Sequence, residues 1–241
     1  MTKMKWIYLI LLIILVVPIL FFYNAFNGNP AWKYFSNKSV KHYLKETYPG
    51  QEFVIPNGFY NFKVSGYTYN VRKVGDEQQK EHEFSVTGFW KPTVTYDGIY
   101  YDNLDLPLME KLGKEASAEL TELLKDKVKR VVEMSVQIEI LQGSYSSDTT
   151  WSKDLKLEKP IYIHLIVDVT DMSKEDVLRT VQDIQQELNS ADYSYSGVSF
   201  NGNLFDNEQI GAKDHFGYVK YSVGFDKDSN IKLSDIKEYN Q

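Results

Sequence analysis

The sequence predicts an α+β protein: an N-terminal transmembrane helix, then two small modules, a helix plus antiparallel β-meander and an α-β-β-α-β-β unit. Three observations carry that expectation. Eighteen consecutive uncharged residues run from Trp6 to Tyr23 behind a short Met-Thr-Lys-Met-Lys start. Residues 52–101 alternate apolar and polar with the period of a strand. After Asp105, helical stripes and alternating runs take turns along the chain.

The apolar run is long enough, at about 1.5 Å of rise per residue, to match a hydrocarbon core. Pro18 is tolerated in such a span, and Trp6 and Tyr23 stand at its two ends, where amphipathic rings favour the membrane interface. A cleaved signal peptide competes with an anchor, but it has a shorter apolar core ending at a small-residue site. Here Leu20-Phe-Phe-Tyr-Asn-Ala-Phe26 offers no such pair of small residues, so an uncleaved anchor over 6–26 is expected. Lys3 and Lys5 precede the span, and the first basic residue after it is Lys33. Basic residues bias their side toward the cytoplasm, which leaves residues 1–5 inside and everything after Phe26 outside the cell.

A 43% hydrophobic and 15% aromatic composition is too apolar for disorder, so the external part must fold. With no cysteine, its stability rests on packing and hydrogen bonds, and a lipid-modified cysteine is excluded. The formal charge is −6, or about −8 once Lys3 and Lys5 are set aside. That balance argues against nucleic acid and against adhesion to anionic headgroups, both of which require basic patches.

In the first module, expected over 27–103, Asn29-Pro30 reads as a cap and first turn. Trp32, Phe35, Ser39, Tyr43 and Leu44 follow at helical spacing, with Lys33, Lys38, Lys41 and Lys45 as a solvated face. That helix ends near Tyr48-Pro49-Gly50. Tyr60, Phe62 and Val64, then Tyr67, Tyr69 and Val71, then Phe84, Val86 and Trp90 alternate with polar residues. Ser65-Gly66 marks a turn, and Asp97-Gly98 fits a two-residue hairpin before Ile99-Tyr-Tyr101.

The second module, expected over 104–241, opens with a helix from about Pro107 to Arg130 carrying Leu112, Ala116, Leu120, Leu123 and Val128. Strands follow at Val132–Ile140 and, after a polar connection from Gln142 to Lys159, at Ile161–Val169. Tyr162, His164 and Asp168 face away from the second strand's apolar side. Ser173 with Asp176 caps a helix bearing Val177, Val181, Ile184 and Leu188. Strands then run from Tyr193 to Phe200 and from Tyr218 to Phe225, with a short last strand after Asn230. Both modules are expected to have mainly antiparallel sheets.

The segment Asn24-Ala-Phe-Asn-Gly-Asn-Pro30 directly after the span, with Lys33 and Tyr43-Leu-Lys-Glu-Thr-Tyr-Pro49, resembles the YfjL-like proteins of Gram-positive bacteria. These are membrane-anchored proteins without an assigned activity. The resemblance is sharpest over residues 20–65 and extends to Tyr221-Ser-Val-Gly-Phe225. It implies the two-module architecture and supplies no catalytic residue.

Residue chemistry names no reaction. His42, His82, His164 and His215 read as four unrelated histidines, with no zinc-binding spacing among them. No nucleophile elbow or phosphate-binding glycine loop occurs. Asp226-Lys-Asp228-Ser-Asn230 imitates the start of a calcium loop, but Ile231 replaces the glycine, Lys237 replaces the bidentate glutamate, and the flanks read as strands. A solvated turn fits better. No metal, cofactor or catalytic residue is therefore assigned. The most suggestive stretch is the long connection containing Tyr145 and Trp151, since loops of that length are often functional. Those rings form a patch for an envelope protein or glycan, or Trp151 folds back onto a sheet edge while the loop stays mobile.

The reading is a single-pass membrane protein whose partners are the lipid bilayer, through Trp6 to Phe26, and an envelope protein or glycan. Its role is binding or interaction, not catalysis. An envelope hydrolase assembled from dispersed acids and histidines, or a structural spacer or assembly subunit, is the alternative.

Overall fold

The computed structural model describes residues 3–205 and 217–239, with side chains from Lys5 onward. Helix α1 covers Lys3–Asn27 and contains Pro18. Its most apolar 18-residue window has a mean hydropathy of 2.8, and none of that window is buried. The chain divides into two compact units, 1–103 and 104–241.

In the first unit, α2 (Pro30–Thr47) starts where the Asn29 side chain accepts hydrogen bonds from the amides of Ala31 and Trp32, with Pro30 in the first turn. Its buried face is Ser36, Val40 and Leu44, with Trp32 and Tyr43 partly covered. Phe35, expected on that face, is 52% exposed. The true stripe repeats every fourth residue from Trp32, which turns Phe35 outward.

The sheet beneath α2 has the order β1-β3-β4-β5, with β2 also paired to β3. Its strands are β1 (Phe53–Val54), β2 (Phe59–Asn61), β3 (Gly66–Lys73), β4 (Glu81–Thr87) and β5 (Thr93–Asp97), and all pairings are antiparallel. Tyr67, Tyr69, Val71, Phe84 and Val86 form the core with Val40 and Leu44. Two expectations fail here. Trp90 does not continue the buried face of Phe84 and Val86: Gly88 turns the chain at φ +89°, and Trp90 stands 93% exposed in the β4–β5 connection. Asp97-Gly98 is not a hairpin. Asp97 accepts from the amides of Ile99 and Tyr100 and starts the one-turn helix α3 (Gly98–Asp102).

The second unit places α4 (Leu106–Leu124) and α5 (Lys174–Ser190) against a sheet of order β10-β9-β8-β7-β6. The strands are β6 (Val131–Gln137), β7 (Ile161–Asp168), β8 (Tyr195–Leu204), β9 (Tyr218–Phe225) and β10 (Lys237–Glu238). One pairing, β7 with β8, is parallel, because α5 carries the chain back across the sheet between them. The rest are antiparallel. Ser173 and Asp176 form a reciprocal capping box on α5, whose buried residues are Val177, Val181, Ile184 and Leu188.

Helix α4 ends at Leu124, short of the expected Arg130, which sits at φ +61°. Strand β6 likewise stops at Gln137, although Ile138 and Ile140 remain buried. Val132 is 44% exposed because the pairing register slips between Val131 and Glu133, and a bulge residue leaves its face.

Candidate functional site

The connection between β6 and β7 was the sequence's candidate for recognition, and α4 side chains together with the backbone at the end of α5 pin it down. Lys111 Nζ donates to the carbonyls of Ser147 (3.2 Å) and Thr149 (2.9 Å), and the Trp151 amide donates to Glu115 Oε2 (2.7 Å). Beyond them, Lys153 Nζ reaches the Ala191 carbonyl at the end of α5 (2.8 Å). Tyr145 Oη donates to the Lys156 carbonyl (3.0 Å). Tyr145 and Trp151 are both half-buried and pack, with Leu155 and Leu157, on the hydrophobic core. Both rings thus combine core packing with a partly exposed surface. What they leave to solvent is a shallow cleft of about 270 Å³ between Trp151, Leu155, Pro160 and Tyr193.

The described histidines lie on separate elements, two of them paired with a carboxylate. His42 lies beside Glu46 on exposed α2, His82 Nδ1 is 2.7 Å from Asp102 Oδ2, and His164 faces out from β7. His215 lies outside the described residues. Among the described residues, no three His, Asp or Glu side chains converge to hold a metal ion. Asp226-Lys-Asp228-Ser-Asn230 is a turn after β9, as the sequence suggested. Asp226 Oδ1 accepts from Ser229 Oγ (2.7 Å) and the Asp228 amide (3.1 Å), bonds that hold its carboxyl below the usual range. Gln185 Nε2 donates to the carbonyls of Asp226 (2.8 Å) and Ser229 (2.9 Å), which clips the turn to α5.

Sequence alternation did identify the outward side of the second sheet. Ile161, Ile163, Leu165 and Val167 are buried against the helices, so Tyr162 and His164 project from the opposite face. Pairing register sets Ser135, His164, Ser199 and Gly224 in one row across four strands. Ser222 in the next row shares a hydrogen bond with Tyr239 Oη (3.1 Å). These are short neutral donors and acceptors around a partly exposed imidazole, an array suited to hydrogen bonding with a polar partner.

A second surface, which sequence reasoning missed, lies at one end of the first unit. The pairing of Gly66 with Thr87 puts the β2–β3 turn and the β4–β5 turn side by side. Phe62 and Val64 are exposed on one turn, Phe89 and Trp90 on the other. Trp32 joins α2 to this end, with its ring 6.0 Å from Phe89 and 5.4 Å from Tyr67. Phe26, on the last turn of α1, lies 6.1 Å from the ring of Phe62. Alternation had assigned Phe62, Val64 and Trp90 to strand faces. Ser65-Gly66 reads as a turn, but one that begins too late to free Phe62 and Val64, and the signal for Trp90 was the Gly88…Pro92 frame around Phe89-Trp90.

The α1–α2 junction is built for close approach. Gly28 adopts φ +73°, and a Cβ there would lie 2.3 Å from Tyr67 Oη and 2.8 Å from the Tyr60 ring. Only glycine combines that φ with that clearance. Tyr67 Oη also donates to the Asn29 carbonyl (2.8 Å) and Tyr69 Oη to the Lys33 carbonyl (3.2 Å). The start of α2, directly after α1, is thereby fixed to the first sheet.

One long apolar helix leading into two α+β units, each with its own core, defines the class of protein. The chain belongs to the YfjL-like family: residues 3–98 match the YfjL-like N-terminal domain and residues 115–237 the YfjL-like C-terminal domain. It is 30% identical to the protein described as "Uncharacterized protein YfjL" of Bacillus subtilis (strain 168), over 97% of this chain and 98% of that one. A crystal structure of a DUF5037 family protein from Ruminococcus gnavus ATCC 29149 is 13% identical, covers 71% of this chain and 76% of its own, and superposes with a TM-score of 0.25. A likeness that slight carries no argument about fold or function.

Proposed function

We propose that this chain is a single-pass membrane protein that holds its two units outside the cell and serves as a non-catalytic binding or interaction module of the envelope. One observation supports the anchor above the rest: α1 exposes apolar side chains all round, with Leu15 65%, Ile14 63% and Phe21 68% exposed and none of the described residues packed over its most apolar window. A helix apolar on every side needs an apolar solvent, and its length of 25 residues suits a bilayer with some tilt. The orientation rests on Lys3 and Lys5 before the span against Lys33 after it.

The binding role draws on the outward sheet face of the second unit, where Tyr162, His164, Ser135 and Ser199 offer hydrogen bonds. A row of hydrogen-bonding side chains along a sheet face suits contact with a polar partner. Protease added to intact, wall-stripped cells should remove both units, and cross-linkers placed at Tyr162 should capture an envelope component. Digestion only after lysis would reverse the orientation, and a mature protein beginning near Phe26 would remove the anchor.

A further inference from the structure

We propose that the two turns at the anchor end of the first unit, residues 62–65 and 88–92, lie in the headgroup layer of the membrane that α1 crosses. This makes the unit a second, interfacial point of attachment. The proposal rests on the anchored reading above and concerns a surface outside the span itself.

Placement is the first argument. Phe26 ends the apolar helix only three residues beyond Tyr23, about 4.5 Å further along the axis, inside the interfacial zone that flanks a hydrocarbon core. Phe62 touches Phe26 at 6.1 Å between ring centroids. Phe62 therefore cannot be far from the depth of Phe26. Strand pairing sets Phe89 and Trp90 on the neighbouring turn, and their mutual packing at 5.0 Å leaves Trp90 93% exposed. The Gly28 fit against Tyr60 and Tyr67 ties the chain at the foot of the anchor to the sheet that bears both turns.

Composition is the second argument. Exposed Trp and Phe beside Lys are what the membrane interface favours, because the ring enters the acyl boundary while the ammonium stays with the phosphates. Lys63 sits between Phe62 and Val64, and Lys91 follows Trp90. Segments 24–45, 57–66 and 86–95 contain no Asp or Glu at all. The acids of the β3–β4 region, Asp76, Glu77, Glu81 and Glu83, are carried at the other end of the same sheet. The chain's net charge of −6 conceals this division. Beyond the span the first unit has nine Lys and Arg against eight Asp and Glu, and the second sixteen against twenty-five. The charge that argued against headgroup contact belongs to the second unit.

The chain lacks cysteine, so single-cysteine labelling of the full-length protein is clean. Four variants, Ile13→Cys, Phe62→Cys, Trp90→Cys and Glu77→Cys, would each carry a nitrobenzoxadiazole dye. They would be reconstituted into phosphatidylcholine vesicles containing phosphatidylglycerol and lipid spin-labelled near the headgroup or deep in the acyl chain. The expected result is deep quenching at position 13, blue-shifted emission with preferential headgroup-level quenching at 62 and 90, and a water-like, unquenched dye at 77. Water-like dyes at 62 and 90 beside a quenched dye at 13 would overturn the proposal and leave the anchor standing. An unquenched dye at 13 would remove the anchor and the proposal together. Shielding at 62 and 90 that followed the protein-to-lipid ratio instead of the spin-label position would assign the turns to a neighbouring copy, which also overturns it.

Discussion

Tyr67 donates its hydroxyl hydrogen to the Asn29 carbonyl at 2.8 Å, and this one bond joins the buried centre of the first sheet to the residue that ends the α1–α2 junction and caps α2. Tyr67 is only 2% exposed, so the ring that makes the bond is also part of the core. Its burial raises the hydroxyl pKa, and the hydroxyl remains a donor throughout the physiological range.

Substitution at Gly28 is expected to uncouple the junction. Gly28→Ala brings a Cβ into contact with Tyr67 Oη and the Tyr60 ring and forces a non-glycine residue to φ +73°. Together these should cost about 2–4 kcal/mol. Tyr67→Phe, which removes the hydroxyl but keeps the ring, should cost about 1 kcal/mol. Denaturant titration of both variants gives the comparison. Equal losses would mean that the hydroxyl, and not the close approach, sets the junction.

The β6–β7 connection makes an opposite kind of prediction, because its aromatic residues face inward. Trp151→Ala should destabilise the second unit by about 2–3 kcal/mol, between an exposed truncation and a fully buried one. Among the described residues, nothing accepts a hydrogen bond from the buried Trp151 Nε1. Trp151→Phe should therefore cost much less, since it deletes an unsatisfied donor along with part of the ring. Glu115→Gln should fall between them by weakening the bond from the Trp151 amide. An alanine variant as stable as the parent would put the ring back in solvent and revive the connection as a recognition loop.

How much of this was legible depends on the range of the interactions. Helix α5 could be read completely, because its capping box and its stripe at Val177, Val181, Ile184 and Leu188 are local patterns. The outward placement of Tyr162 and His164 was equally plain, since alternation through β7 admits one arrangement. Asp97 was misread because Asp-Gly suits a hairpin and a helix start alike. The choice is made by Tyr43 and Tyr48, far back in the chain, whose hydroxyls both donate to Asp97 Oδ2 (2.9 and 2.7 Å). The aromatic surface at the α1 end of the first unit escaped for the same reason. Phe26, Phe62 and Phe89-Trp90 come from three separate segments, and only the pairing of Gly66 with Thr87 gathers them.

A fragment beginning at Asn103 should fold alone. The core of the second unit draws its buried residues from Leu108 to Ile236, that of the first from Val40 to Val86, and no residue belongs to both. The fragment also keeps its own N-terminal closure, in which Leu104 bridges to Leu141 and the Asp105 amide donates to the Ile140 carbonyl (2.8 Å). Calorimetry should show one cooperative transition. A soluble but molten product, or aggregation, would mean that the second core needs the first unit to form.

The last prediction concerns alkaline pH. Tyr193 is buried and donates to Glu119, and both burial and that carboxylate push its hydroxyl pKa well up. Tyr195, also buried, is pushed up to about 12, by desolvation first and then by Asp226 and Asp228. A group whose folded pKa lies above its unfolded value of 10.0 contributes fully below that value, and the contribution is lost as pH rises toward the folded pKa. Above pH 10 each such tyrosine should therefore lower stability by up to about 1.4 kcal/mol per pH unit. Stability of the 103–241 fragment should be level near neutrality and fall steeply beyond pH 10, with late tyrosinate absorbance appearing together with loss of the folded circular dichroism signal. Tyr193→Phe should start about 1 kcal/mol lower, for the lost bond to Glu119, yet decline less steeply. If every tyrosine ionised near pH 10 with the fold intact, Tyr193 and Tyr195 would have to be open to water.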